Sequence, residues 1–369
     1  METLKIAFVY DVIYPWVKGG VERRIYELAR RLARDHEVHV YGYRHWEGKN
    51  EIEREGIHYH GLALAPERLY LLGKRNPFPM LRLAGILSRH INEFKQFDVV
   101  DVQNLFYPGA LALKRLPNAV VTWHEFWGGY WFSYLGLAGA FGWFSERALF
   151  TAERHISVSW KTKRDLLWAG LRRPVSLVPN GVDVKLIDSI PPAEFESDVI
   201  FVGRLIPEKG VDILLRALAD LKSEMPDVKA VIVGDGPERA KLEGIAKALN
   251  LEDNVFFTGF LPYERVIALM KASKVFVLPS RREGFGMVAL EAMACGLPAI
   301  TLNAPMNAAR FLVEEGKNGF VVDESQLSDA LASLLFDKVF LKRIGRVSRE
   351  ISEEYDWDAV VRLLLDVYV

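Results

Sequence analysis

The sequence predicts an α/β protein made of two doubly wound domains. Short runs of apolar and β-branched residues alternate with amphipathic helical patterns, which is typical of parallel sheets covered by helices. This alternation runs through the first half of the chain and starts again at residue 198. A chain of 369 residues also exceeds the usual size of one hydrophobic core. Each half is therefore expected to build its own sheet and to bury its own core.

The first half combines one clear helical pattern with six strand patterns. The helix is predicted at 20–34, where the apolar residues that recur at helical spacing are Val21, Ile25, Leu28, Ala29 and Leu32. The predicted strands are KIAFVY (5–10), EVHVYGY (37–43), DVVDVQ (98–103), AVVTWH (119–124), HISVS (155–159) and VSLVPN (175–180).

The second half repeats this organisation. Its predicted strands are DVIFVG (198–203), KAVIVGDG (229–236), NVFFTGF (254–260), KVFVLPS (274–280) and LPAIT (297–301). Its predicted helices lie near 210–223, at 237–249 and at 287–295. This order of strands and helices predicts a second parallel sheet.

A linker is predicted between the halves. The segment IDSIPPAEFES (187–197) combines a diproline with acidic and small residues, a composition typical of linkers. We place an N-terminal domain at 1–188 and a C-terminal domain at 189–355. The last stretch, 356–369, reads as an amphipathic helix, which we expect to pack back towards the N-terminal domain.

Charge and composition exclude several classes of partner. The chain has 47 basic and 48 acidic residues and a formal net charge of −1, so no overall basic field would attract nucleic acid or an anionic membrane. Its single cysteine excludes an internal disulfide framework and suits a reducing compartment. The N-terminus has no signal-peptide pattern, and the longest apolar stretch, 130–144, is too short to span a bilayer. We therefore expect a cytoplasmic protein.

The segment SRREGFGMVALEAMACGLP (280–298) carries two glutamates around a glycine-rich turn. It follows a predicted buried strand, and ligands of open parallel sheets bind outside the carboxyl ends of the strands. The first N–H groups of the following helix attract phosphate, and carboxylates accept hydrogen bonds from paired sugar hydroxyls. We therefore predict that Glu283 and Glu291 contact different parts of one elongated ligand.

Two other interpretations of this segment are possible. The glutamates could be a solvated loop acid and a helix acid bonded to the backbone, but the glycine- and alanine-rich context disfavours this. The segment also fits the dinucleotide pattern G-x-G-x-x-A through Gly284, Gly286 and Ala289. However, residues 302–313 contain no acid for the ribose, and the pattern comes late in its domain.

The segment GRLIPEKG (203–210) follows the first strand of the second half and holds two cations. A guanidinium grips phosphate oxygens in a fork, and an ammonium adds a point charge. Arg204 and Lys209 therefore suit a diphosphate and the negative charge that grows on it as it leaves. The alternative is surface charge at a turn.

Taken in order, these motifs resemble the GT4-type retaining glycosyltransferases of the GT-B fold. The resemblance covers most of the chain and implies two Rossmann-like domains that face a central cleft. The segments that carry it are PWVKGGVERRIYELARRLA, HISVSWKTKRDL, VPNGVD, GRLIPEKG, VGDGPE, FTGFLP, PSRREGFGMVALEAMACGLPAI and YDWDAVVRLLLDVY.

The resemblance implies that 1–188 is the acceptor-side domain and that 189–355 is the nucleotide-sugar-binding domain. Glu283 would lie near the donor-sugar hydroxyls, Glu291 at the ribose, and Arg204 with Lys209 at the diphosphate. The positions that match the family's site are Gly19, Gly20, Arg204, Lys209, Gly234, Asp235, Phe260, Leu261, Glu283, Gly284, Phe285, Gly286, Met287, Val288 and Glu291.

His124 ends a predicted strand and matches a family histidine close to the reacting sugar. A lone histidine is more often structural, but its place at the carboxyl end of a strand favours a functional role. The catalytic group would be His124, Glu283, Arg204 and Lys209, with no residue assigned as a nucleophile. In the family, the leaving phosphate is usually proposed to help deprotonate the acceptor on the same face of the sugar.

Neither a metal ion nor another cofactor is predicted to be obligatory. The only Asp-x-Asp, Asp356-Trp357-Asp358, is more simply the start of a helix, and the two cations would stabilise the diphosphate instead. One position departs from the family pattern: Phe311 stands where relatives often have a glutamate. This departure bears on donor-sugar or acceptor preference.

The acceptor side is expected in WHEFWGGYWFSYLGLAGAFGWF (123–144), which is rich in aromatic residues. Aromatic faces stack on sugars, and Trp and Tyr also favour membrane interfaces. Three interpretations stay open: a helix packed on its own sheet, contact of 126–144 with a lipid-linked or membrane-surface acceptor, and a soluble sugar acceptor. Acceptor contacts are assigned to Trp16, Trp123 and Glu125.

The sequence thus predicts a retaining, hexosyltransferase-like enzyme. It would move a sugar from a UDP- or GDP-linked donor to a hydroxyl of a sugar, polysaccharide or lipid-linked acceptor, in the cytoplasm or at the inner face of the membrane. A nucleotide-sugar epimerase or hydrolase of the same architecture and a non-catalytic sugar-binding subunit are the alternatives.

Overall fold

The computed structural model describes residues 2–67, 70–71, 74–104 and 109–369. The chain forms two compact units: Met1–Pro179 together with Trp357–Val369, and Asn180–Asp356. Each unit contains a mainly parallel sheet with helices, so the predicted α/β class with two doubly wound sheets is confirmed.

The sheet of the first unit has the strand order β10-β9-β8-β7-β1-β2-β4-β3, with only β3 antiparallel to its neighbour. The strands of this unit are β1 (Lys5–Val9), β2 (Glu37–Arg44), β3 (Glu51–Arg54), β4 (Ile57–Leu64), β5 (Tyr70–Leu71), β6 (Lys74–Arg75), β7 (Val99–Asn104), β8 (Ala119–Trp123), β9 (Arg154–Ser157) and β10 (Val175–Leu177). The β3–β4 hairpin was not predicted.

Helices cover this sheet, and the helix predicted at 20–34 is α1. The helices are α1 (Gly20–Leu32), α2 (Pro77–Arg89), α3 (Gly109–Leu113), α4 (Tyr130–Leu135), α5 (Gly139–Ala148) and α6 (Trp160–Trp168). Val100, Val102 and Val121 belong to one buried apolar cluster. Because side chains alternate along a strand, Asp101, Gln103 and Thr122 face the other side of the sheet.

The second sheet has the order β13-β12-β11-β14-β16-β18 and is entirely parallel. The strands of this unit are β11 (Ser197–Val202), β12 (Ala230–Val233), β13 (Val255–Gly259), β14 (Ser273–Leu278), β15 (Arg282–Glu283), β16 (Ala299–Leu302), β17 (Met306–Asn307) and β18 (Gly319–Val322). In chain order this is 3-2-1-4-5-6, the Rossmann order, which reverses direction between β11 and β14.

In the second unit one helix precedes the first strand, and the others connect the strands or follow the last of them. They are α7 (Val184–Ser189), α8 (Val211–Lys222), α9 (Arg239–Ala248), α10 (Tyr263–Lys271), α11 (Met287–Ala294), α12 (Leu327–Phe336) and α13 (Lys338–Glu353). The helices predicted near 210–223, 237–249 and 287–295 are α8, α9 and α11.

The division between the units lies at 179/180, nine residues before the expected boundary at 188/189. Two contacts explain why 180–188 belongs to the second unit. The Val182 N–H donates to the carbonyl of Tyr355 at 2.9 Å, and Arg349 pairs with Asp188 at 2.8 Å. Part of the predicted linker is the helix α7.

The terminal helix, α14 (Trp357–Tyr368), belongs to the first unit. Asp358, in its first turn, accepts a hydrogen bond from Arg31 of α1 at 3.0 Å. At its other end Tyr368 reaches the buried carboxylate of Asp101. The last helix therefore packs against the sheet face that carries Asp101.

Candidate active site

Lys209 and Glu283 form an ion pair at the point where the strand order of the second unit reverses. Lys209 ends a short 3₁₀ turn after β11, and Glu283 lies in β15, after β14. The distance between Lys209 Nζ and Glu283 Oε1 is 2.5 Å, and the side chains are 17% and 12% exposed. Ligands of doubly wound sheets bind at this reversal, outside the carboxyl ends of the strands.

Backbone contacts hold the two loops together. The Arg281 N–H donates to the carbonyl of Glu208 at 2.9 Å. Gly210 has φ +64°, and a Cβ there would lie 2.1 Å from the carbonyl oxygen of Pro279. Only glycine allows this approach at a positive φ, so Gly210 brings Lys209 against the end of β14.

The second predicted glutamate lies on α11. Gly286 precedes this helix with φ +100°, and a Cβ there would come within 2.6 Å of the Ala309 Cβ. The helix begins at Met287, which places Glu291, a buried residue, in its second turn. Gly284, Met287 and Val288 are half-buried, and Phe285 is buried. The loop and the helix are therefore built as predicted, with Glu283 in a short strand paired with β17.

Arg204 lies two residues after the end of β11 and is exposed. In the part of the chain that the structure describes, its guanidinium forms no ion pair. To bind a diphosphate, Lys209 would have to give up its ion pair with Glu283. Among the described residues, Arg204 has no such ion pair to break.

The other predicted nucleotide contacts follow the two neighbouring strands. Gly234 and Asp235 follow β12, and a Cβ at Gly234 would lie 1.9 Å from the Gly203 carbonyl oxygen. Asp235 accepts from the Gly236 N–H at 2.7 Å. Phe260 follows β13 and is 80% exposed, with Leu261 half-buried beside it.

These residues therefore follow four adjacent strands, β13, β12, β11 and β14. At a spacing of about 4.8 Å per strand, the row spans about 14 Å. A row of this length suits an elongated ligand with a charged group in its middle.

In the first unit, His124 follows β8 and is buried. Its Nε2 lies 2.8 Å from Oε1 of Gln103, which lies on β7. Burial, together with the charge of Arg24, lowers the pKa of His124 well below its ordinary value. The ring is therefore neutral at physiological pH.

Three predicted residues of the first unit are exposed or half-buried, so a substrate could reach them. Gly19 and Gly20 are exposed at the start of α1, and a Cβ at Gly19 would come within 2.4 Å of Glu22 Oε2. Trp16 is half-buried and packs against Trp46, with a ring separation of 4.9 Å.

One acceptor assignment is wrong. Trp123 is 0% exposed, and its indole N–H donates to His155 at 3.1 Å. Its side chain points from β8 into the apolar cluster, because neighbouring strand residues point to opposite faces. Glu125 is half-buried and accepts from the Trp127 indole at 2.6 Å.

The aromatic segment is divided between core and surface. Trp127 and Trp131 are buried, and Gly142 packs so closely that a Cβ there would lie 2.3 Å from the Trp131 ring. The carboxylate of Glu146 accepts hydrogen bonds from the N–H groups of Trp127 and Gly128, both at 2.9 Å. The side chains that stay exposed are Phe132, Leu135, Leu137, Phe141 and Phe144, which we call the outer apolar face.

Neither a metal cluster nor a membrane-spanning helix is found in the described ranges. Within them, no three His, Cys, Asp or Glu side chains are arranged to hold a metal ion. No helix there is long and apolar enough to cross a membrane. Metal independence stays a prediction.

Comparison with known proteins decides the family. The family model "Glycosyltransferase Family 4" matches residues 18–186, and "Glycosyl transferases group 1" matches 185–351. The chain is a GT4-type glycosyltransferase. This glycosyltransferase has the GT-B fold and uses a nucleotide sugar. Because both matching families are families of glycosyltransferases, an epimerase, a hydrolase or a non-catalytic subunit is not favoured.

Relatives match this glycosyltransferase over nearly its full length. An uncharacterized glycosyltransferase of Methanocaldococcus jannaschii is 26% identical over 97% of this chain and 96% of its own. A GDP-mannose-dependent α-(1-6)-phosphatidylinositol monomannoside mannosyltransferase of Mycolicibacterium smegmatis is 28% identical over 93% of each chain. Among solved structures, Anabaena HepE in complex with UDP and glucose has a TM-score of 0.75, with 23% identity and 98% of each chain covered.

Proposed function

We propose that this glycosyltransferase transfers a hexose from a nucleoside diphosphate sugar to a hydroxyl acceptor, with retention of the anomeric configuration. The observation that carries the proposal is the Lys209–Glu283 pair at the reversal between β11 and β14. It places a cation suited to phosphate beside an acid suited to sugar hydroxyls, as the junction of a diphosphate and a sugar requires.

Donor binding exchanges the partners of this pair. The Lys209 ammonium and the Arg204 guanidinium take diphosphate oxygens, and Glu283 accepts hydrogen bonds from the sugar. During transfer the bond from the anomeric carbon to the phosphate oxygen breaks, and a bond to the acceptor oxygen forms on the same face. The acceptor proton passes to the leaving phosphate, whose growing charge the two cations stabilise. No metal ion is needed for this step.

We propose a lipid-linked acceptor at the inner face of the membrane. The outer apolar face of α4, α5 and the turn between them supports this. Leu137 is 92% exposed, and Phe132, Leu135, Phe141 and Phe144 are between 41% and 66% exposed. Arg147 lies with its guanidinium 3.6 Å from the Trp143 ring centre, a cation beside an aromatic residue as at membrane interfaces. The mycobacterial relative named above also acts on a phosphatidylinositol monomannoside.

Product analysis tests the proposed reaction. The enzyme is incubated without added metal with a UDP- or GDP-linked sugar and a lipid-linked or soluble sugar acceptor, and the product is followed by NMR. The proposal expects a new glycoside with the donor's anomeric configuration. An inverted product contradicts retention, and conversion of donor without any acceptor indicates a hydrolase or epimerase.

A further inference from the structure

A buried chain of hydrogen bonds joins His124 to the last helix. The Tyr368 hydroxyl donates to Asp101 Oδ2 at 2.6 Å. Gln103 Nε2 lies 2.7 Å from Asp101 Oδ1, and Gln103 Oε1 lies 2.8 Å from His124 Nε2. All four side chains are buried. This series of hydrogen bonds crosses the first unit from the terminal helix α14 to the end of β8.

The carboxylate of Asp101 determines which groups in this series of hydrogen bonds donate and which accept. An ionised carboxylate only accepts hydrogen bonds, and Thr122 also donates to Asp101 Oδ1, at 2.6 Å. Burial raises the pKa of Tyr368 well above its ordinary value, so its hydroxyl keeps the proton that it donates. Burial raises the pKa of Asp101, and the hydrogen bonds from Thr122 and Tyr368 and the charges of Arg24 and Arg154 oppose this rise. These donors and the buried Arg24 on α1 favour the ionised carboxylate.

The orientation of the Gln103 amide determines which ring nitrogen of His124 carries the proton. Its NH₂ group must face Asp101, so its carbonyl oxygen faces His124. A carbonyl accepts, so Nε2 of His124 must carry the proton. In a neutral imidazole the other nitrogen then holds a lone pair. Among the described residues, Nδ1 of His124 takes part in no hydrogen bond.

We propose that Asp101 and Gln103 are positioning residues that fix His124 as the Nε2–H tautomer, so that Nδ1 accepts a hydrogen bond from a substrate hydroxyl. Tyr368 holds Asp101 in place from the terminal helix. The substrate contact rests on the proposed function, whereas the tautomer does not. Reversing the tautomer would set an N–H against the same hydroxyl position and would cost one neutral hydrogen bond, about three- to tenfold in kcat/KM.

The direct test is long-range ¹H–¹⁵N NMR of the full chain labelled at histidine, with His124→Asn to assign the signal. We expect a neutral ring protonated at Nε2 from about pH 6 to about pH 8. A ring protonated at Nδ1, or a charged ring in this range, overturns the inference. This measurement needs no substrate, so it can fail or succeed independently of the proposed reaction.

The variant Gln103→Glu adds a second readout, the pH dependence of transfer. This dependence would not change if Gln103 had only a structural role. Among the described residues, the charge of Arg24 lowers the pKa of His124, and the carboxylate of Asp101 lies beyond Gln103. A further carboxylate in place of the Gln103 amide would raise the pKa of His124. We expect transfer by this variant to fall as pH decreases, because Nδ1 becomes protonated, whereas the wild type shows no such loss from His124. A pH profile identical to that of the wild type in a folded variant contradicts the inference.

Gln103→Met is the uncharged companion variant, in case the added carboxylate prevents folding. Without the Gln103 carbonyl, both tautomers of His124 should appear in the NMR spectrum. A single Nε2–H tautomer in this variant would show that Gln103 does not set it.

Discussion

Lys209 and Glu283, 74 positions apart in sequence, pair at 2.5 Å between the first and fourth strands of the second unit. Their side chains are largely buried, yet each belongs to a loop at the carboxyl edge of the sheet. In the proposed reaction the donor separates this pair. The Lys209 ammonium then binds diphosphate oxygens, and the Glu283 carboxylate accepts hydrogen bonds from the sugar hydroxyls.

The first prediction concerns transfer by variants of this pair. Lys209→Ala removes the phosphate cation and Glu283→Gln removes the carboxylate, so each should lower kcat/KM by about a hundredfold or more. The free energy of unfolding should fall by about 1–3 kcal/mol, because the remaining partner is largely buried but keeps some contact with solvent. Steady-state assays and urea unfolding measure both quantities.

Lys317→Ala is the matched control for these variants. Lys317 pairs with Glu314 on the surface, so its loss should leave transfer unchanged. Near-normal turnover in Lys209→Ala or Glu283→Gln would refute the assignment of the site.

The second prediction compares two glycines of the second unit. Gly234→Ala would place a methyl group against the Gly203 carbonyl oxygen at φ +132°, so it should lower the free energy of unfolding by about 1–3 kcal/mol. Gly244→Ala lies in α9 with nothing within 4 Å and should raise it by up to about 1 kcal/mol. Equal effects in urea unfolding would contradict the close approach of the two loops.

The third prediction is a pH dependence that arises from Glu146. Burial raises the pKa of this carboxyl from 4.5 to about 7. Because the folded state binds the proton more tightly, Glu146 contributes stability below about pH 4.5 that is lost as pH rises through about 7. The free energy of unfolding of the wild type relative to Glu146→Gln should fall by about 3 kcal/mol over this range.

Glu153→Gln serves as the control for this effect. Glu153 is exposed and pairs with Arg173, so its stability difference from the wild type should be small at all pH values. Thermal or urea unfolding between these pH values gives both curves. A constant difference for Glu146→Gln would show that its carboxyl titrates normally.

The fourth prediction tests the outer apolar face. Phe141→Asp puts a charge among the exposed side chains of α4 and α5, so co-sedimentation with vesicles of phosphatidylglycerol and phosphatidylcholine should fall severalfold. Phe336→Asp changes an exposed phenylalanine of the second unit and should have no effect. Equal binding by both variants and the wild type would remove this face as the membrane contact.

The geometry of parallel sheets explains why the sequence predicts that the proposed donor loops lie at one edge of the second sheet. Every strand of the second sheet has its carboxyl end at one edge, so Lys209, Asp235, Phe260 and Glu283 gather there once each is placed after a strand. Knowledge of the strand order was not required for this. The order decides which loops are neighbours, and it places Lys209 beside Glu283.

Contacts between distant parts of the chain could not be predicted in the same way. Tyr368 and Asp101 are 267 positions apart, and no local pattern links them. The Val182–Tyr355 bond that moves the unit boundary is equally remote. Trp123 ends its strand, and strand alternation does not show whether its side chain points into the apolar cluster or to the other side of the sheet, so its burial was missed.

Titration of a nucleoside diphosphate sugar into the wild type and Lys209→Ala by calorimetry tests the central claim most directly. The account predicts that the wild type binds the donor without metal and that Lys209→Ala binds it at least about tenfold more weakly. Equal affinity in the two proteins would contradict it.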